Sequence, residues 1–460
     1  MDLKNILLNL PEVKRPIEKK LAFDVKLKWT LAMLVSFFIL AEIPLYGLSN
    51  NALEQFKYLA VILGTKFGSV ISLGIGPIVM ASIILQLLVG SKLLNLDLTT
   101  PDGKRYFQGL QKMLAIFFCV FEASVYVLMK GLEALPGLEW LLITQLIIGG
   151  ILIIFMDEVV SKYGFGSGVS LFIAAGVSLE LFTRLLSPFN EAGAIALFGK
   201  GQVIGKLWVL INSVATANTI EATAALGAII ATIIIVLIVV YVQSIKVEVP
   251  LSFGRIRGFG MRWPLNFFYT SNIPVILVSA LFANVQVLAK LAEKWIGHPT
   301  FLGTFSAQGA PQAGLAVFLQ APNLVDSILR GYFVPAFLGR SLVYILFMMI
   351  GCVIFSVFWV KTSGTDAASQ AKNILASGLQ IPGFRRDPRV LESILSRYIT
   401  PLAVMGGAAI GLLAAAADLM GALAGGTAIL LGVMIVYHLY QQIAQQHAYD
   451  IYPSLKKFIK

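Results

Sequence analysis

Ten long apolar segments, divided by shorter polar or charged ones, follow one another along this chain. They lie near residues 28–48, 69–91, 108–130, 138–157, 168–187, 224–245, 268–289, 341–361, 399–419 and 425–443. A helix needs about 20 apolar residues to cross the hydrocarbon core of a bilayer. The pattern therefore predicts an all-α membrane protein with ten transmembrane helices.

The second apolar segment is interrupted near its start by Gly74, Gly76 and Pro77. Pro77 lacks a backbone N–H and the glycines loosen the turn before it, so a continuous helix is not expected here. Irregular backbone at membrane depth persists only where it faces protein or a water-filled cavity. The interruption therefore points to a pathway through the membrane rather than to a simple anchor.

Composition and charge agree with this prediction. Hydrophobic residues make up 58% of the chain and charged residues 13%, which excludes an ordinary soluble domain. With ten spans, most lysines and arginines fall in segments on the same side of the membrane as the two termini. The positive-inside rule therefore predicts that both termini are cytoplasmic. Two halves of five spans would enter the membrane in opposite orientations around a central pore. The halves show no convincing residue-level match.

Reactive side chains form no catalytic or metal-binding pattern in the sequence. Cys119 and Cys352 fall inside predicted spans, where small buried side chains are expected. The three histidines lack metal-ligand spacing, and there is no phosphate-binding loop or hydrolytic triad. We therefore expect neither an enzyme nor a cofactor.

Glu122 is the one acidic residue deep within a predicted span. It is interpreted either as a hydrogen-bond partner of a neighbouring helix or as part of a gate. Ion-coupled transporters usually carry several buried carboxylates or histidines, which favours a channel here. A secondary transporter of small solutes with inverted repeats is the alternative, and a membrane scaffold protein is the third interpretation.

Two long motifs carry a resemblance to a known family. Residues 72–88 read Ser-Leu-Gly-Ile-Gly-Pro-Ile-Val-Met-Ala-Ser-Ile-Ile-Leu-Gln-Leu-Leu, and residues 156–173 read Met-Asp-Glu-Val-Val-Ser-Lys-Tyr-Gly-Phe-Gly-Ser-Gly-Val-Ser-Leu-Phe-Ile. Both resemble signatures of the SecY family, which forms the protein-conducting channel of the general secretory pathway. Residues 247–257 are more similar to the archaeal and eukaryotic branch than to the bacterial one.

The resemblance implies an hourglass-shaped pore closed by a ring of apolar side chains. By motif, the pore ring consists of Ile75, Val79, Val169, Ile173, Ile276 and Leu431. Valine or leucine stands at three of these positions where isoleucine is common in the family. An apolar constriction blocks ions because it offers no replacement for their hydration shell.

The family also has a plug and a lateral gate. The plug is implied in segment 53–67, which is too short to cross a bilayer and has Gly64 and Gly68 as expected hinges. Its side chains are Phe56, Tyr58, Leu59, Val61, Ile62 and Leu63. The gate lies between helices two and three on one side and seven and eight on the other. Its polar cluster maps to Met80, Glu122 and Asn284, and Met80 departs from the hydroxyl residue frequent there.

Two basic loops, 246–267 and 362–398, are expected on the cytoplasmic side. The family docks ribosomes on these loops, so the resemblance implies that ribosomal RNA contacts Arg255, Arg257, Arg262, Arg385 and Arg386. Arginine suits bidentate contact with phosphate, although positive-inside topology alone also explains basic loops. Further implied partners are a SecE-like clamp subunit, a small peripheral beta-type subunit, signal peptides, nascent polypeptides and membrane lipids.

These expectations divide the chain into five parts. They are an amphipathic cytoplasmic segment (1–27), a first half (28–187), an external loop (188–222), a second half (223–445) and a cytoplasmic tail (446–460). Loops 188–222 and 292–338 are expected to be irregular. The implied function is the pore subunit of a Sec translocon in an archaeal-type plasma membrane.

Overall fold

The computed structural model describes most of the chain. The described residues are 11–18, 21–54, 57–91, 93–94, 96, 98, 100–190, 195, 203–253, 260–306, 310–376, 379–380 and 387–451.

Helices dominate the described part of the chain. They are α1 (Phe23–Glu42), α2 (Lys57–Ile62), α3 (Gly76–Gly90), α4 (Pro101–Leu128), α5 (Glu139–Tyr163), α6 (Gly168–Leu186), α7 (Lys206–Ala215), α8 (Thr219–Ser244), α9 (Ile273–Ile296), α10 (Leu324–Leu329), α11 (Ala336–Thr362), α12 (Ala367–Ala376), α13 (Pro388–Leu419) and α14 (Gly426–Ile451). A 3₁₀ turn covers Leu315–Val317.

Eight helical stretches within the described residues are long and apolar enough to cross a membrane. They match the third to the tenth predicted spans, so the all-α membrane protein expected from the sequence is confirmed. The first two predicted spans fall on α1, whose first turns carry Asp24, Lys26 and Lys28, and on α3, which has 15 residues. The count of ten stays a prediction.

The second apolar segment is interrupted by turns, as its glycines and proline favour. Residues 70–75 form turns instead of helix, and Gly74 has φ +54°. Pro77 lies in the first turn of α3, where a missing N–H costs little because the first helical donors have no intrahelical acceptor. Helix α3 therefore begins within the apolar segment and not at its edge.

Short strands connect several loops. They are β1 (Leu48–Asn51), β2 (Leu132–Ala134), β3 (Lys246–Phe253), β4 (Gly260–Asn266), β5 (Thr304–Phe305), β6 (Pro311–Ala313) and β7 (Leu379–Gln380). Antiparallel pairing gives β1–β2, β5–β6 and a three-stranded sheet in the order β4-β3-β7. In that sheet Lys246 pairs with Asn266, and Ser252 pairs with Gln380. The two basic loops are thus joined in one sheet.

The two loops expected to be irregular contain regular elements, so that prediction was wrong. Loop 188–222 holds α7, which packs against α8, and loop 292–338 holds β5, β6 and α10. These elements are short enough that their own propensity cannot hold them. Helices below about 12 residues depend on packing against neighbours.

The spanning helices pack around one large hydrophobic core. Helix α3 lies against α4, α9 and α11, and α6 lies against α14. A smaller cluster forms where β3 and β4 meet α13, with Val249, Leu265 and Leu402 buried together. This second cluster attaches the three-stranded sheet to the helical body.

An extended strap, residues 11–14, crosses the adjacent ends of α4 and α5. The backbone N–H of Val13 donates to Oε2 of Glu158 at 2.9 Å, and Lys162 Nζ donates to the Val13 carbonyl at 2.6 Å. Lys112 of α4 pairs with the same Glu158 carboxylate and also donates to the carbonyl of Pro11 in the strap. The strap therefore joins two spanning helices through groups on both of them.

Candidate pore, plug and gate

The six residues predicted for the pore ring all lie near helix starts. Ile75 immediately precedes α3 and Val79 lies in its first turn; the others sit in α6, α9 and α14. Their side chains belong to the main hydrophobic cluster, as Ile75, Val79, Ile173, Ile276 and Leu431 are buried and Val169 is partly buried against it. Four helix starts therefore contribute to one apolar cluster.

Backbone geometry explains why these helices begin where they do. Pro77 and Pro274 occupy the first turns of α3 and α9, while glycine begins α6 and α14. The N–H of Val79 donates to the Ile75 carbonyl at 3.0 Å, so these side chains occupy one turn of one face. An apolar cluster of this kind provides no polar group that could replace the hydration shell of an ion.

The predicted plug contains α2 and packs against the ring helices α6 and α9. Leu59, Val61, Ile62 and Leu63 are buried, whereas Phe56 and the side chain of Tyr58 lie outside the described residues. Both expected hinges have a left-handed backbone, φ +53° at Gly64 and +94° at Gly68. A Cβ added at Gly64 would lie 3.7 Å from Cγ2 of Ile75, so the plug ends against the ring.

Hydrogen bonds connect the end of the plug to the turns before α3. The N–H of Ile75 donates to the carbonyl of Leu63 at 3.0 Å. The Thr65 hydroxyl lies 2.7 Å from the Ile71 carbonyl and 2.8 Å from the Ser72 carbonyl. Sequence reasoning missed Thr65, and its only signal is a hydroxyl between the two hinge glycines. The plug is therefore linked to the ring by the backbone as well as by apolar packing.

The gate helices are in contact on both sides of the predicted seam. Helix α3 touches α9 and α11, and a Cβ at Gly90 would lie 2.5 Å from Cδ1 of Phe358. Within one side of the predicted gate, between α9 and α11, a Cβ at Gly351 would lie 2.9 Å from Cγ2 of Val278. Glycines thus allow close approach across the predicted seam at Gly90 and between two helices of the same side at Gly351.

The residues predicted for the polar gate cluster are near the seam but make separate contacts. Asn284 is buried in α9 and donates from Nδ2 to the carbonyl of Ala280, one turn earlier. Glu122 is buried in α4, and its Oε2 has no hydrogen-bond partner among the described residues. That oxygen lies 3.1 Å from the position of a Cβ at Gly76, so the carboxylate faces the start of α3. Met80 is partly buried.

Of the five arginines predicted to bind the ribosome, the structure describes Arg262. Its side chain is 78% exposed on β4 and pairs with Glu248 of β3 at 2.7 Å. The other four, Arg255, Arg257, Arg385 and Arg386, lie outside the described residues.

A partly buried tyrosine, Tyr269, lies at the base of the three-stranded sheet. The Tyr269 hydroxyl donates to the carbonyl of Thr365 at 2.6 Å, which joins the chain after β4 to the chain after α11. Burial raises the pKa of Tyr269 to about 12, so the hydroxyl stays protonated and keeps donating. Within the described ranges, no group of three or more His, Cys, Asp or Glu side chains could hold a metal ion.

Comparisons with known proteins agree in pointing to one family. A family model described as SecY matches residues 69–440. A protein translocase subunit SecY of Methanothermobacter thermautotrophicus is 47% identical over 458 residues, covering 98% of this chain and 96% of that protein.

Solved structures give the same result. A structure described as a protein conducting channel superposes with TM-score 0.83 at 40% identity, covering 98% of this chain and 99% of the other. Sec61 in the canine ribosome-channel complex from the endoplasmic reticulum superposes with TM-score 0.79 at 39% identity and the same two coverages.

Proposed function

The chain belongs to the SecY family and is the pore-forming subunit of a Sec translocon, and on that basis we propose which residues close, open and dock this channel. Polypeptides pass through its central pore, and hydrophobic segments leave sideways into the lipid. No finding favours the alternative of a small-solute transporter.

The buried apolar cluster at four helix starts is the observation that carries the proposal. Ile75, Ile276, Leu431 and their ring neighbours occupy one buried apolar cluster, and the Leu63 end of the plug is hydrogen-bonded to Ile75. This arrangement keeps ions out while the channel is idle because the ring side chains and the buried plug side chains Leu59, Val61, Ile62 and Leu63 offer them no polar ligands. The seam between α3 and α11 is the exit toward the lipid, and Glu122 with Asn284 and Met80 lines it.

A related channel that was solved in a ribosome-channel complex supports the ribosome as a partner, and we propose the other partners from the family resemblance. We place the ribosome on the sheet β4-β3-β7 and on the basic segments that extend from it, on the side of both termini. That side is the cytoplasm of an archaeal-type cell, and the membrane is the plasma membrane. A SecE-like clamp and a small beta-type subunit complete the complex. The chain has no catalytic step of its own, so the energy comes from a partner.

Ion leakage through idle channels tests the pore ring. Replacing Ile75, Ile276 and Leu431 with serine introduces hydroxyls that can solvate ions in the constriction. Planar bilayers that contain this variant should conduct ions without a translocating substrate, whereas the parent should stay closed.

A matched control uses the same residue types where they face outward. Ile230, Ile233 and Leu237 of α8 are 45%, 53% and 64% exposed, and their replacement with serine should leave idle conductance unchanged. Equal conductance of the ring variant and this control would refute the ring assignment.

A further inference from the structure

Helix α6 receives its N-terminal cap from the preceding helix. The N–H of Val169 donates to Oδ1 of Asp157, near the end of α5, at 2.9 Å. Ser167, which occupies the usual capping position, makes no side-chain cap bond within the described residues. The first turn of a helix leaves N–H groups without intrahelical acceptors, and a carboxylate there is favoured by hydrogen bonding and by the helix dipole.

Helix α14 is capped in the same way at the other end of the chain. The N–H of Thr427 donates to Oδ1 of Asp418, near the end of α13, at 2.7 Å, and the Thr427 hydroxyl donates to Oδ2. The hydroxyl of Tyr344, from the gate helix α11, donates to the same Oδ2 at 2.7 Å. All three side chains are at most 6% exposed.

The two caps correspond residue by residue. Val169 and Thr427 each lie four residues, about one helical turn, before the ring residues Ile173 and Leu431. Each helix also begins with a glycine pressed against the preceding helix. A Cβ added at Gly168 would lie 2.5 Å from Cα of Asp157. A Cβ added at Gly426 would lie 1.8 Å from the carbonyl carbon of Ala417. The absence of a side chain there lets the carboxylate reach the helix start.

We infer that Asp157 and Asp418 are paired positioning residues that hold the starts of α6 and α14 so that Ile173 and Leu431 close the pore. This inference rests on the ring assignment proposed above. The two helices are packed against each other, since a Cβ at Gly432 would lie 2.9 Å from Cγ1 of Val177. A shift of either helix start therefore displaces a ring residue.

The second cap also links the ring to the gate. Tyr344 belongs to α11, and its ring lies 6.3 Å from that of Phe282 on the other gate helix, α9. Movement of α11 relative to α13 would stretch or break the bond from Tyr344 to Asp418. Such movement would weaken the cap of α14 and thereby loosen the ring on the side of Leu431.

Idle ion conductance tests these roles on the complete channel in planar bilayers. Asp157→Ala and Asp418→Ala should each raise idle conductance roughly fivefold, which corresponds to the about 1 kcal/mol that an N-cap is worth. Asn keeps a carbonyl acceptor and caps helices as well as Asp, so Asp157→Asn should restore most of the closure. Asp418→Asn should restore it only in part, because its amide oxygen still accepts from the Thr427 N–H but its NH2 group replaces the Oδ2 that accepts from the Thr427 and Tyr344 hydroxyls. Tyr344→Phe keeps the ring but removes the donor, and should raise conductance through the second cap.

Asp102→Ala provides the control, because Asp102 is an exposed carboxylate in the first turn of α4, its own helix. It should leave conductance at the parent level. Parent-like conductance of folded Asp157→Ala and Asp418→Ala, with a leaking Leu431→Ser, would overturn the inference on the carboxylates alone. If Leu431→Ser itself does not leak, the ring assignment fails and this inference fails with it.

A double-mutant cycle separates positioning from general loss of stability. If Asp418 acts through Leu431, Asp418→Ala should add little conductance to a channel that already carries Leu431→Ser. If the double variant instead shows the product of the two single-variant conductance increases, Asp418 does not act on the ring. Should Asp418→Ala fail to fold, Thr427→Val removes one cap donor while keeping the side-chain shape, and enters the same cycle.

Discussion

Gly74 stands where the plug meets the helix that carries the first ring residues. Its backbone has φ +54°, and a Cβ there would lie 2.4 Å from the carbonyl oxygen of Leu63. The missing side chain therefore lets Leu63 approach closely enough to accept the hydrogen bond from Ile75. One glycine thus permits both the turn and the attachment of the plug.

Gly74→Ala should consequently detach the plug. A left-handed backbone costs a non-glycine residue about 1 to 3 kcal/mol, and the clash with Leu63 adds to it. We expect a lower thermal unfolding temperature and frequent brief openings of idle channels. Gly137→Ala is the matched control, since Gly137 has φ +85° but no described atom within 4 Å of a Cβ. If both variants open equally often, the openings result from backbone strain and not from detachment of the plug.

Among single residues, the burial of those in continuous motifs could be predicted, whereas contacts across helices could not. The ring residues share one apolar cluster, as expected from motifs such as that around Pro77, and their role in closing the pore stays a prediction. Thr65, Asp157 and Asp418 bond to backbone groups 6 to 12 positions away, and Asp418 also accepts from Tyr344, 74 positions earlier. No periodicity in the sequence marks such contacts, because they exist only once the elements have packed.

At the level of helices, the close contact between α3 and α11 depends on the absence of a side chain at Gly90. A Cβ there would lie 2.5 Å from Cδ1, 2.6 Å from Cγ and 3.0 Å from Cβ of Phe358. The clash involves the base of the ring as well as its edge, so rotation of Phe358 alone cannot relieve it. The closed seam therefore tolerates no methyl group at this point.

Gly90→Ala should favour the open seam, because overpacking of this kind typically costs about 1 to 3 kcal/mol. We expect faster transfer of a hydrophobic test segment into the lipid by reconstituted channels. Phe358→Ala removes the obstructing ring, so the double variant should return toward the rate of Phe358→Ala alone. An equal effect of Gly90→Ala in both backgrounds would contradict the contact.

Helices whose formation depends on length and hydropathy were predicted well, whereas short helices and strands were not. Eight spanning stretches follow from apolar length, but α7 and α10, with 10 and 6 residues, depend on packing against α8. The hairpin of β3 and β4 carries an alternating pattern at residues 246–249 that indicates a strand. The glycines that follow this pattern favour a loop, and residues 246–267 were therefore expected to form a loop without strands.

For the molecule as a whole, the charge distribution suits docking to nucleic acid. The formal net charge is +11, and the sheet β4-β3-β7 joins the two basic loops. Because β7 pairs with β3, the loops cannot move independently at that point. We therefore treat them as one contact surface for the ribosome.

Charge reversal of Arg255 with Arg257, or of Arg385 with Arg386, should weaken ribosome binding. Each lost phosphate contact should flatten the slope of log affinity against log salt by roughly 0.7 to 0.9, because fewer counterions are released. Binding titrations at several salt concentrations measure this slope. An unchanged affinity and slope would leave the loops as topology signals only.

The control for this experiment has to avoid arginines that hold the fold. Arg330 pairs with Glu221 and Asp326 at 2.8 Å, and Arg340 donates to the Val317 carbonyl, so reversal there would disturb the structure. Lys66→Glu is better suited, since its pair with Glu42 is exposed and such pairs contribute little to stability. It should leave ribosome affinity at the parent value.

The strap over α4 and α5 sets an order in which the chain can be completed during synthesis. Its residues are made first, yet the partners of Val13, Glu158 and Lys162, lie 145 and 149 positions later. The amino-terminal segment therefore waits beside the membrane until α5 has been translated. Its attachment therefore requires both α4 and α5 to be in place. A nascent chain cut short before α5 keeps an unanchored end that proteases can reach.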